Sequence, residues 1–386
     1  MFTIETERLP IQVWGESVDE ATLEQARHLA NLPFAFHHIA LMADAHVGYG
    51  MPIGGVFAAS GQVIPNAVGL DIGCGVRAWR TNVPVSDLLP VRDAVLDAVS
   101  RAVPQGFDWH DASQADRTDL FGDMPDIPVL LEERGRAERQ LASLGGGNHF
   151  IELQADPEGL VWAMVHTGSR NIGKQVAAYF DRIARERNRK EASEVPPDWE
   201  LAHLPVDSED GRAYREAMGW CLRFALESRR LIAESVQAAL DQRAGGGEPD
   251  DAIDVHHNYV SAERHFGADV MVHRKGAVHA RGTVFIPGSM GTASYVGEGL
   301  ADPDAFESCS HGAGRVMGRH AAMRALPRTK VLAELEKRGV LLVKRHLKDV
   351  AEEAPEAYKD IDQVMRWQRD LVRPAVRLRP VAVLKG

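Results

Sequence analysis

Only three cysteines, Cys74, Cys221 and Cys309, occur in 386 residues. So sparse and odd a set excludes a disulfide framework and points to reduced thiols in the cytoplasm. No run approaches the ~18 apolar residues of a membrane span, and the opening MFTIETERLPIQ has neither the basic start nor the apolar core of a leader. A membrane role is therefore not expected. Positive charge is in deficit as well: the formal net charge is −11, which excludes a protein that coats nucleic acid by bulk electrostatics yet permits a local basic groove. Internal repeats and low-complexity tracts are absent, which removes solenoid architectures.

The charge that is present is unevenly spread. Between Arg315 and Lys348 there are ten Lys/Arg against two acids, and between Arg170 and Lys190 seven against two. Both runs follow glycine-rich motifs, a position suited to guiding a phosphate backbone. The length allows one large core or two ordinary ones. Residues 188–211 and 243–251 read as surface loops within one unit, because chemical motifs lie on both sides of them; a single domain over 1–386 is expected.

Ser17-Val-Asp-Glu20 fits a capping box that opens a helix ended by Pro33. Further helices are predicted near 90–103, 131–143, 172–190, 210–242 and 314–338. Strands are predicted at 37–42, 54–59, 160–166, 269–273 and 277–287. The result is a mixed α/β (α+β) chain whose connections are too irregular for a doubly wound sheet.

The motifs fall between these elements. In AVGLDIGCGVRAW, Asp71 and Cys74 can reach one metal ion if Ile72-Gly73 turns tightly. SLGGGNHFIEL brings Asn148, His149 and Glu152 after three glycines that let backbone approach a ligand closely. In MVHTGSRNIGK, His166 ends an apolar strand, and Gly168-Ser169-Arg170 resembles an anion site at a helix start. DVHHNYV offers His256 and His257, which on a strand point to opposite faces, so one of them joins a given site. A mixed O, N and S donor set suits Mn, Zn, Co or Fe and has enough ligands for two ions. In SCSHGAGRVMGR, His311 precedes Gly312, Ala313 and Gly314 and then a predicted Arg-rich helix, an arrangement suited to a histidine nucleophile toward phosphorus. Cys309 reads as a packing residue.

These motifs resemble the RtcB family of RNA-splicing ligases. The matching stretches are DAHVGYGMPIGGV, GLDIGCGVRA, GGGNHFIEL, HTGSRNIG, HHNYV, HRKGAVHARG, IPGSMGTASYV, SHGAGRVMGR, AYKDIDQVM and VLKG, in the family's order from residue 44 onward. The resemblance implies one compact domain around a deep central cleft for metal and nucleotide. It implies joining of RNA 3′-phosphate or 2′,3′-cyclic phosphate ends to 5′-hydroxyl ends, with GTP as co-substrate, two Mn²⁺ ions and, as a partner, an archease-like activator. It assigns Asp71, Cys74 and His149 to one ion and Cys74, His166 and His257 to the other, with the thiolate bridging. His311 matches the guanylylated histidine. The implied GTP positions are Asn148, His149, Phe150, Ile151, Glu152, His257, Asn258, Pro287, Gly288, Ser289, Met290, Ser294, His311, Gly312, Ala313, Gly314, Tyr358 and Lys385.

Two other functions fit the residues alone. A dimetal phosphodiesterase acting on cyclic or terminal RNA phosphates uses the same five ligands, but needs no nucleotide and no His311 in a Gly-Ala-Gly cradle. An inactive RNA-end binding module needs none of the ligands.

Overall fold

The computed structural model describes residues 1–246 and 250–386. Part of the expected 243–251 loop, residues 247–249, lies outside the described residues. The 36-residue helix Glu209–Ala244 ends at Gly245, whose left-handed conformation suits a glycine cap.

Strands rich in β-branched and small apolar residues form two large sheets. One has six strands in the order Phe2–Ile4, Ile11–Val13, Ala35–Tyr49, Met51–Ala59, Ala268–Lys275, Asn258–His265. The other runs Ile253–His256, Gly75–Pro84, Leu160–Thr167, Phe150–Ala155, Val372–Lys385, Ser294–Leu300, Arg281–Ile286, with Leu341–Lys344 pairing beside Val372–Lys385. Nearly all pairings are antiparallel; Ile11–Val13 with Ala35–Tyr49 and Leu341–Lys344 with Val372–Lys385 are parallel. The chain is thus a compact α+β fold, without the repeated parallel crossovers of a doubly wound sheet.

The helices Arg92–Ala102, Pro128–Gln140, Arg170–Lys190 and Glu209–Ala244 agree with the predicted ranges to within three residues at each end. Their apolar faces share one core with the inner face of the second sheet, including Val99, Leu130, Phe180, Trp220 and Val165.

Three local expectations change. The first helix, Glu20–Ala30, is capped by Asp19, whose carboxylate accepts the Thr22 N–H at 3.0 Å, and not by Ser17. The predicted strand 277–287 is two strands, Ala277–His279 and Arg281–Ile286, in different sheets. The predicted helix 314–338 is two short helices, Arg319–Ala325 and Arg328–Lys337, because Pro327 cannot continue the first. Residues 312–318 are loop, so no helix begins behind His311.

Candidate metal and nucleotide centre

Asp71 and Cys74 sit on the turn that enters Gly75–Pro84. Gly73 has φ +72°, a left-handed conformation that lets the chain reverse within D-x-x-C. His166 comes from the end of Leu160–Thr167, His149 from the residue before Phe150–Ala155, and His257 from the junction between Ile253–His256 and Asn258–His265. Adjacent strand ends therefore deliver the donors to one point. At Gly168 any Cβ would overlap the Asp71 carboxylate, so that glycine is needed for the approach.

Two triads result, Asp71–Cys74–His149 and Cys74–His166–His257, with donor atoms in each within 4.8 Å of one another. Cys74 Sγ lies 3.5 Å from His149 Nε2 and 3.4 Å from His166 Nε2, and His149 Nε2 is 2.9 Å from Asp71 Oδ2. Asp71 Oδ1, His166 Nδ1 and His257 Nδ1 are buried with no hydrogen-bond partner among the described residues. Buried polar atoms left unpaired are costly, so a cation that recruits this donor set would offset a penalty already built in. A divalent transition ion fits thiolate, imidazole and carboxylate together.

Electrostatics agree. Burial, reinforced by neighbouring histidines, holds His166 and His257 well below the usual imidazole range, and so neutral and able to ligate. Burial and the Asp71 carboxylate push the Cys74 thiol well above its ordinary value; a bound cation reverses that balance by favouring thiolate. Burial alone would raise Asp71, but the adjacent His149 outweighs it and the carboxyl is held low.

Between the adjoining pair of histidines, the structure chooses. His257 is buried beside the cluster, with its ring 5.2 Å from that of His166 and 4.8 Å from that of His311. His256 turns away, its Nδ1 3.1 Å from the Arg229 guanidinium.

A cleft of about 390 Å³ adjoins the second triad. Its wall contains Asn148, Phe150, His166, His257, Asn258, Pro287, Gly288, Ser289 and Met290, then His311, Gly312, Ala313, Gly314, Tyr358 and Lys385. His149 faces the adjoining groove instead. Ile151 is in the core, because alternate residues of Phe150–Ala155 face opposite sides. Glu152 and Ser294 lie buried behind the wall, where Gln154 donates to both. Burial pushes the Glu152 carboxyl up to about 8.

Several site residues were not picked out in the sequence. Asp44, fully buried, places Oδ2 2.7 Å from His311 Nδ1; the ring is turned so that its N–H does not point at that oxygen. The same Oδ2 accepts the backbone N–H groups of His311 and Gly312, each at 3.2 Å. Burial would raise Asp44, but His311 more than compensates and the carboxyl is held below its usual range. Its signal was DAH at the start of a quoted motif. Arg229 is fully buried in the long helix and donates to the carbonyls of Gly73 and Thr167, both at 3.0 Å, and to Asp254 at 2.7 Å. It thereby ties the backbones beside Cys74 and His166 to the Asp254 side chain on the strand that leads to His256. Glu353 gathers Lys385 at 3.3 Å, Arg315 at 3.2 Å and the Tyr358 hydroxyl at 2.5 Å.

Arg170, expected at an anion contact, and the Arg315 guanidinium, in the loop after His311, both find protein partners. The Arg315 guanidinium is engaged by Glu353, Tyr358 and the Glu352 carbonyl. Arg170 does open a helix, but its side chain bonds Ser143 Oγ and the Gly106 carbonyl, both at 3.1 Å. Cys309 is fully buried in a hydrophobic cluster, as a packing residue should be.

The pattern of the family described as "tRNA-splicing ligase RtcB" matches residues 25–124 and 122–386. The chain belongs to the RtcB family. It is 37% identical to the RNA-splicing ligase RtcB of Escherichia coli K12 over 99% of this chain and 98% of that protein. It is 36% identical to the tRNA-splicing ligase RtcB of Thermococcus kodakarensis, over 95% and 91% respectively. Against the RNA-splicing ligase RtcB of Mycobacterium tuberculosis the identity is 35%, over 94% and 100%. The family match and these relatives support an RNA-ligase function. No helix among the described residues is long and apolar enough to cross a membrane.

Proposed function

We propose that this protein is a GTP-dependent ligase that joins RNA 3′-phosphate or 2′,3′-cyclic phosphate ends to 5′-hydroxyl ends, in tRNA splicing or RNA repair. Residues 1–386 act as one catalytic domain in the cytoplasm, where the three unpaired thiols stay reduced. The observation that carries the reading is the seat of His311: a buried carboxylate on one side, a ligand histidine of the second triad on the other, and a nucleotide-sized cleft in front.

With Nδ1 lying 2.7 Å from the buried Asp44 carboxylate, Nε2 is the ring nitrogen left for attack. Its lone pair forms a bond to the α-phosphorus of GTP while the bond to the bridging oxygen breaks and pyrophosphate leaves. An oxygen of the RNA 3′-phosphate then takes the GMP, breaking the P–N bond and returning His311. The 5′-hydroxyl attacks the activated 3′-phosphorus, loses its proton, and GMP departs. Asp71, Cys74, His149, His166 and His257 would hold two Mn²⁺ ions, which when bound supply charge neutralisation at phosphate oxygens. Gly312, Ala313 and Gly314 leave room for the phosphates, and Asn148, Phe150, Tyr358 and Lys385 surround the nucleotide.

A strand ending in 3′-phosphate and one beginning with 5′-hydroxyl, incubated with Mn²⁺, should be joined with GTP and left unjoined without nucleotide. Cleavage of cyclic phosphate without any joining would instead establish a phosphodiesterase.

A further inference from the structure

A second concavity, a groove of about 1100 Å³, adjoins the cleft and shares Asn148 and Arg319 with it. Asp71 and His149 of the first triad line it, so the groove opens directly onto the metal centre. In a chain of net charge −11 its lining carries six cationic side chains against four carboxylates. Lys174 projects from the exposed side of Arg170–Lys190 and makes no ion pair among the described residues.

Two aromatic rings in three residues also line this groove. Phe107 is fully exposed and Trp109 is 38% exposed. The loop that presents them is pinned on both sides: the Gly106 N–H donates to the Gly145 carbonyl at 2.9 Å, and the His110 N–H to the Arg139 carbonyl at 3.0 Å. The Arg139 guanidinium backs the Trp109 ring at 5.0 Å from its centroid. Phe107 supports no packing in the fold, yet it stands on a fixed loop beside cations and the catalytic centre. Flat rings interleaved with positive charge are the chemistry of a single-stranded nucleic-acid seat, in which bases stack and phosphates pair.

We propose that this groove seats the single-stranded RNA that carries the 3′-phosphate, with Phe107 and Trp109 stacking its bases and Lys174 and Arg319 holding its backbone. The 3′-phosphate strand is favoured because its extra terminal charge must reach the metal triad on the groove floor; the 5′-hydroxyl strand brings no such charge. The inference rests on the ligase reading, and goes beyond it by naming Phe107, Trp109 and Lys174, which line the groove and lie outside the nucleotide cleft, as residues that grip RNA.

The test measures anisotropy of a labelled 3′-phosphorylated single-stranded RNA with full-length protein and Mn²⁺ across a salt series. Phe107→Ala should weaken binding roughly 5- to 100-fold with an unchanged salt slope, whereas Lys174→Ala should lower the slope by about 0.7. Phe107→Trp should restore affinity, and an oligonucleotide made abasic in its 3′ segment should no longer distinguish Phe107→Ala from the parent. Parental affinity in both Phe107→Ala and Trp109→Ala, or a loss seen only with a 5′-hydroxyl strand, overturns the proposal. The GMP adduct on the parent protein is scored separately: its absence would defeat the ligase reading, while Phe107-dependent binding would still be visible.

Discussion

Replacing Cys74 by serine removes the one atom common to both triads. A hydroxyl stays protonated at neutral pH and bridges cations poorly, so calorimetric titration of Mn²⁺ should lose both binding events. His257→Ala should remove mainly one, and His256→Ala should leave both within a few-fold of the parent, because that ring faces Arg229. Equal damage from the two histidine changes would contradict the assignment. At this scale the site was largely legible: the five candidate ligands named from the motifs come together in the two triads, with His257 singled out from His256 in the sequence only by the resemblance. Asp44 was not, since a lone buried carboxylate has no spacing signature and its partner lies 267 positions away. Ile151 is among the GTP positions the resemblance implies, whereas strand alternation points its side chain into the core.

The element that does most to fix the centre is the helix Glu209–Ala244, through Arg229. Arginine in the apolar face of a helix reads as an exception to its period, and only the fold shows that the Gly73 and Thr167 carbonyls and the Asp254 carboxylate converge on it. Arg229→Lys keeps the charge opposite Asp254 but cannot span the Gly73 and Thr167 carbonyls together. Partners that orient metal ligands typically matter by 10–100-fold; Mn²⁺ affinity of the variant should fall by about that factor while GTP protection of the fold persists in thermal melts. Unchanged Mn²⁺ affinity would reduce Arg229 to a packing residue. Helices with long amphipathic periods were readable to within a turn. The region 314–338 was not, because its Lys and Arg residues suit a helix throughout while Gly318 and Pro327 divide it. The C-terminal strand Val372–Lys385 escaped notice because Pro374 and Pro380 interrupt its alternation; register shifts occur beside both.

For the whole molecule, the cleft has a stability cost that depends on pH. Glu152 titrates near 4.5 when unfolded and near 8 in the buried site, so the folded state binds the extra proton between those values and stability falls as pH rises through that window. In urea titrations of the metal-free protein, Glu152→Gln should flatten this decline and exceed the parent by a few kcal/mol at pH 8. A parental slope in the variant would place the titrating group elsewhere. The α+β class followed from the order of elements, whereas the division into two sheets did not, because strand partners far apart in sequence leave no local trace. The central claim remains that Asp44, the shared-cysteine cluster and the cleft converge to make His311 a nucleophile toward GTP. Intact mass after incubation with GTP and Mn²⁺ tests it most directly. The account predicts one guanylyl group per chain, released by acid as a phosphoramidate is, lost in His311→Ala and kept in Cys309→Ala; an adduct that survives His311→Ala, or none on the parent protein, would contradict it.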